Sequence, residues 1–298
     1  MKCLIWRQHR WQLLWTGLFL IALCGFTAWV GVRASRWITG YNGWFRAVRA
    51  AGCPLPDQRG TFTVHASCHA LLHRYPNGFQ VAFGNTFNFA IPAFEEGVPL
   101  ALAVIGALIG APLVAREVEQ QTQLVSWTQS VSRRRWFVTK VVVLAASLAA
   151  VGLIAGFANG RLQHPLTQGG LTSSRWVWFY SSDLALAGEI VVAFALAVAL
   201  GAWLRRTLPA VVAAWVAFLP LLFASGWAVR SLGPRRVSMA PSRIAAAGGG
   251  WGIRSGDGIL YHPASQYWPL QAVFLVILLA IGAALFAAGW YATRTRAV

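Results

Sequence analysis

Charge is scarce in this sequence. Of its 298 residues only 11% are Asp, Glu, Lys or Arg, while 57% are hydrophobic. Soluble domains carry about 25% charged residues. The shortfall excludes a large soluble core and points to a chain that crosses a membrane several times. Lysine is rarer still, with only Lys2 and Lys140. A phosphate-binding loop of the form GxxxxGK[ST] sets a lysine beside a glycine-rich turn. Neither lysine has that setting, so the chain carries no nucleotide motor of its own. No Ser-His-Asp or paired-carboxylate arrangement supports hydrolytic catalysis, and no internal repeat is visible. The first apolar run is too long for a signal-peptide core and lacks an obvious small-residue cleavage site, so it reads as a retained span.

What the sequence has in place of charge is six apolar runs of about 20 residues, the length a helix needs to cross a bilayer. They cover 11–32, 98–115, 137–158, 184–204, 208–229 and 268–291. The expected fold class is therefore all-α, a single polytopic domain over 1–298. The second run is short and holds Pro99 and Pro112. Extending it back through Phe89–Phe94 would bring Glu95 and Glu96 to the membrane. Trp11, Trp136, Trp203, Trp268 and Trp290 stand near the ends of the runs, where amphipathic rings favour the interface. The net charge of +17 sits mostly in caps and loops. Topology and anionic lipid account for it, and no nucleic-acid partner is expected.

Six spans put both termini on one side. That side takes the termini, 116–136 and 205–207, with 11 basic residues in 41. The other side takes the loops 33–97, 159–183 and 230–267, with 13 basic residues in 128. The density of positive charge, more than twofold higher in the first set, makes that side cytoplasmic. The outer loop 230–267, with its Ala245–Gly252 stretch "AAAGGGWG", reads as flexible or lightly structured.

The cytoplasmic segment "AREVEQQTQLVSWTQSVSRRRW" is a polar insert between two apolar runs. Leu124, Trp127 and Val131 fall on one helical face, while Glu117, Glu119, Gln123 and Gln129 lie mostly elsewhere. Arg133–Arg135 then anchor the next span. The pattern fits a short amphipathic helix at the membrane surface. Physics leaves two roles open for it: a helix that stabilises a loop, or a docking element for a soluble partner.

The stretch "GAPLVAREVEQQTQLVSWTQSVSRRRWFVTK" (Gly110 to Lys140) resembles the membrane subunits of type-2 ATP-binding-cassette (ABC) exporters, and within them an actinobacterial-type branch. That branch has a GAPLLARE-like end to its second span, an acidic-x-acidic run, a WTQSV block and an Arg-rich start to the third span. "WRQHRWQLL" (Trp6 to Leu14) resembles the family's amino-terminal helix. Gln121 departs from the family's usual Gly before Thr122, which favours continuous helix there.

The resemblance implies a bacterial cytoplasmic-membrane permease that moves substrate by alternating access. It implies a separate ABC ATPase subunit carrying ATP and Mg, a second permease chain in a homo- or heterodimer, surrounding lipid, and no cofactor on this chain. It makes 116–136 the loop that touches the ATPase. Glu117, Glu119, Thr122, Leu124, Trp127, Gln129, Val131 and Arg133 are its contact residues.

Cys53 and Cys68 share the outer loop 33–97, fifteen residues apart. A disulfide and two free thiols are both open, and the family often has a cysteine pair here. His65, His69 and His73 recur every four residues, a spacing that can grip zinc or copper or simply form a polar helix face. Asp183 at the mouth of the fourth span reads as a helix cap. Glu189 lies deeper in that span. It can face a translocation path, pair with an arginine or snorkel. A second reading makes the chain a membrane-bound sensor or assembly subunit, with the outer His/Cys loop as its ligand site and no transport. A metalloenzyme is a weaker third, for want of carboxylate ligands and a general base.

Overall fold

The computed structural model describes residues 78–119, 133–168, 179–231, 236–238, 250–255 and 258–295, with Cys68 and scattered positions between 14 and 51. Five helices form the body. They are α1 (Gly78–Glu119), α2 (Arg133–Gln168), α3 (Asp183–Leu204), α4 (Thr207–Ser231) and α5 (Tyr267–Thr295). Each contains a segment long and apolar enough to cross a membrane: Gly97–Arg116, Phe137–Arg161, Asp183–Leu204, Thr207–Ala224 and Tyr267–Thr295. These coincide with five of the six expected runs. The sixth, 11–32, is described only at scattered positions, all helical, as are further positions from 36 to 50. Among them Leu23 is buried in one apolar cluster with Leu102, Ile109, Leu113 and Leu148.

Two helices are longer than the apolar runs predict. α1 has 42 residues, about 63 Å at ~1.5 Å per residue, roughly twice the hydrocarbon thickness. It runs back through Glu95 and Glu96 to Gly78, so part of the expected loop 33–97 is helix. α2 continues to Gln168, well past the end of its apolar run. An apolar run marks only what lies in lipid. A helix whose backbone bonds are made internally can continue into water without a break.

α3 is the axis of the bundle. It is buried at every position from Ala185 to Ala199 except Leu196, and the other four helices all pack on it. Its sequence, DLALAGEIVVAFALAVALGAWL, is apolar all round apart from Asp183 and Glu189, as suits a fully surrounded helix. Small residues let its neighbours approach. A Cβ on Gly110 of α1 would stand 2.6 Å from the Phe194 carbonyl oxygen, and one on Gly152 of α2 would stand 2.6 Å from the Ala187 Cα. The GxxxG pairs Gly106–Gly110 and Gly152–Gly156 are thus helix-packing surfaces against α3. On the outside, Leu208, Val216, Phe223 and Trp227 of α4 and Val276 and Tyr291 of α5 are well exposed. Surfaces this apolar belong against lipid or another chain.

The fold is helical as expected, and the loop 230–267, expected to be flexible or lightly structured, holds one small sheet. Three short strands, β1 (Arg236–Ser238), β2 (Gly250–Ser255) and β3 (Gly258–Pro263), form an antiparallel sheet in the order β1-β3-β2. Arg236 pairs with Tyr261 and Trp251 with His262. Two residues, Gly256 and Asp257, separate β2 from β3, and a glycine opening a two-residue connection is a hairpin signal. A 3-10 turn, Ala264–Gln266, leads directly into α5.

Candidate functional site

Polar contacts gather at the two ends of α3, exposed at one and buried at the other, and one buried carboxyl lies between them. At the end expected to be cytoplasmic, Arg205 takes a left-handed conformation (φ 55°) and its N–H donates to the Gly201 carbonyl at 3.1 Å, closing α3. Only Arg205 and Arg206 separate α3 from α4. The first N–H groups of a helix have no partner within it. Here Glu119, the last residue of α1, supplies one. Its Oε1 accepts from the Thr207 N–H at 2.9 Å and its Oε2 from the Thr207 hydroxyl, also at 2.9 Å. The carboxylate also meets the positive end of the α4 dipole. The two bonds from Thr207, aided by the charge of Arg206, hold the Glu119 carboxyl below its ordinary pKa range.

At the opposite end, the turn Phe179–Asp183 is stitched to two helices. Asn159 of α2 donates to the Ser181 carbonyl. Gln271 of α5 donates through Nε2 to the Phe179 carbonyl, and its Oε1 accepts from the Ala185 N–H at 2.9 Å. The Tyr267 hydroxyl donates to Asp183 Oδ2 and lies 2.9 Å from Ser182 Oγ. Asp183 is left-handed (φ 50°), a conformation Asp tolerates better than most residues. The expectation that Asp183 caps the helix is corrected by this geometry. Ser182 holds the cap position without a side-chain cap bond, and Asp183 is turned to Tyr267. The orphan N–H of Ala185 is met by Gln271, from a helix 86 residues away. Each of α3 and α4 therefore has an opening N–H capped by a side chain of another helix. Beside this seam, His262 is buried at the end of β3, with Nδ1 3.0 Å from Gln266 Oε1.

The carboxyl between the two ends is Glu189. It is 1% exposed, and neither carboxylate oxygen has a hydrogen-bond partner among the described residues. Among the described residues it pairs with no arginine, and at 1% exposure it does not snorkel to the surface.

The other expected positions are described unevenly. The backbone of Glu117 lies in α1, and that of Arg133 opens α2. Thr122, Leu124, Trp127, Gln129 and Val131 lie outside the described residues, and so does the helix expected around them. So do Cys53, His65, His69 and His73. Cys68 is buried and disulfide-bonded, and Cys24 is half-buried at a helical position of the first apolar run. Among the described residues no cluster of His, Cys, Asp or Glu could hold a metal ion. Sequence reasoning missed Thr207, Asn159, Tyr267 and Gln271. Only Gln271 left a readable trace, as a polar residue inside an apolar run.

No characterised protein and no solved structure matches the chain significantly. Residues 18–230, from the first apolar run through the end of α4, match the family described as ABC-2 membrane transporter related. With its apolar spans packed around α3, this chain is a multi-pass membrane protein that belongs to that ABC-2 family.

Proposed function

We propose that the chain is the permease subunit of an ATP-driven exporter, powered by a separate ABC ATPase that docks on the segment 116–136. The observation that carries the reading is the Glu119 clamp. The docking segment begins where α1 ends, and the last residue of α1 grips the first residue of α4 through both carboxylate oxygens. A push on that segment therefore reaches α1 and α4 together, and through the two-residue turn also the central α3. In the proposed cycle, ATP-driven closure of two ATPase subunits moves the segment. The clamp transmits the motion, and the spans tilt between inward-open and outward-open arrangements. A second permease chain, homo- or heteromeric, completes the pathway in the bacterial cytoplasmic membrane, with both termini inside. Leu124, Trp127 and Val131 form the apolar stripe seated in the ATPase groove, with Glu117, Thr122, Gln129 and Arg133 fixing register.

The test is co-purification. A carboxyl-terminal tag and gentle solubilisation should bring down a P-loop ATPase, with ATP turnover that falls on Trp127→Ala. A chain that purifies alone under conditions preserving membrane complexes would remove the exporter reading.

A further inference from the structure

Glu189 is used neither by the clamp at the cytoplasmic turn nor by the polar seam at the outer end. Holding a carboxyl without partners in a bundle core is expensive. A helix that keeps one there has a use for a counter-charge that comes and goes.

The helix geometry gives its direction. Ala185, Val192 and Ala193 lie one turn from Glu189 on the same face of α3. All three belong to an apolar cluster with Ala103 of α1, Phe218 of α4 and Phe274 of α5. Leu221 and Leu222 of α4 pack against the same cluster. The short connection between α3 and α4 sets the level. Glu189 precedes Leu204 by about as many residues as separate Thr207 from Leu222, so it stands roughly 22 Å from the turn, level with Pro220–Leu222. At that level α4 runs on through Pro220, where a proline removes one main-chain hydrogen bond and favours a bend. Among the five described spans α4 is also the least enclosed, with 17% of its apolar stretch buried against 83% for α3. The face of α3 that carries Glu189 is thus packed in part by a peripheral helix with a proline at the same level.

From this we infer that Glu189 is the floor of a binding site for a hydrophobic organic cation, closed in this conformation by α4. One carboxylate among phenylalanines matches a single positive charge on an apolar or aromatic body. A small metal ion would require several further oxygen ligands, and no such cluster exists among the described residues. Displacement of α4 about Pro220 opens the site, with Phe218 and Phe274 as walls. That the cation is cargo rests on the transport reading; that Glu189 binds it does not.

The test uses the full-length chain in lipid nanodiscs with radiolabelled tetraphenylphosphonium as probe. Saturable binding is expected in the wild type. Glu189→Gln, which keeps the shape and hydrogen-bonding capacity of a neutral carboxyl, should weaken it at least tenfold, and Glu189→Asp should retain part of it. Equal affinity in wild type and Glu189→Gln, or no saturable binding to the wild type at millimolar probe, overturns the site. A second measurement needs no variant. Tetraphenylphosphonium should raise the wild-type melting temperature, whereas neutral triphenylmethane should not. Equal shifts with the two probes, or none with the cation, also overturn it. ATPase co-purification is scored separately. Cation binding without an ATPase sinks the transport reading and leaves the site; an ATPase without cation binding does the reverse.

Discussion

Single residues at the ends of α3 decide how the bundle is tied. Asp183 is held by the Tyr267 hydroxyl in a buried seam. Asp183→Ala removes the acceptor and also the side chain that tolerates the left-handed backbone. It should cost about 1–3 kcal/mol, read as a lower melting temperature in detergent, with Asp183→Asn losing less. Glu119 acts at an exposed position, and its effect depends on charge. Its carboxyl titrates below its ordinary range, so the clamp is intact at neutral pH and is lost only as pH falls through that lowered value. Amide exchange at Thr207 should therefore be a few-fold faster in Glu119→Gln than in the wild type at neutral pH. The difference should vanish in strong acid; a difference that persists there would mean the carboxylate is not the clamp. Charges were the legible part of these sites, because Asp183 and Glu189 stand out in an apolar run. Their surroundings were not legible. Tyr267 and Gln271 act on residues more than 80 positions earlier in the chain, and no local pattern encodes which helix neighbours which.

Among the helices, small residues govern spacing and the polar insert governs coupling. Gly110 leaves no room for a side chain against Phe194. Gly110→Leu should separate α1 from α3 and destabilise the bundle by about 1–3 kcal/mol or more, seen as earlier thermal aggregation. The same change at Gly43, where a Cβ meets nothing within 4 Å, should be neutral. Trp127→Ala belongs to the proposed docking helix and should leave insertion and abundance unchanged while transport falls and ATP turnover loses its stimulation. Unaltered transport in that variant would refute the role given to the insert. Span positions were readable because about twenty apolar residues have few alternatives in a membrane. The outward extensions of α1 and α2 were not, since nothing in hydropathy distinguishes polar helix from polar loop. The sheet 236–263 was hidden in the same way: Trp251, Ile253 and Ser255 alternate with Gly252 and Arg254, but the surrounding glycines outweighed so short a pattern.

For the whole molecule, the proposed arrangement sets the Arg205–Arg206 turn and the β2–β3 hairpin on opposite sides of the membrane. A single cysteine in place of Arg206, on a background lacking the four native cysteines, should react with a membrane-impermeant maleimide only in inverted vesicles. One at Asp257 should react in intact cells. Reversed labelling would invert the topology and leave the Glu119 clamp on the wrong side for an ATPase. The two-residue connection between α3 and α4 also bears on how the protein is made. Two spans joined so closely cannot enter the bilayer as independent helices, because neither has the slack to wait for the other. They must leave the translocation channel as one hairpin. Glu189 then enters the membrane already beside the apolar α4, so the cost of the carboxyl is shared by the pair at that step. Lengthening the turn would uncouple the two insertions, and α3 would have to carry its acid into lipid alone.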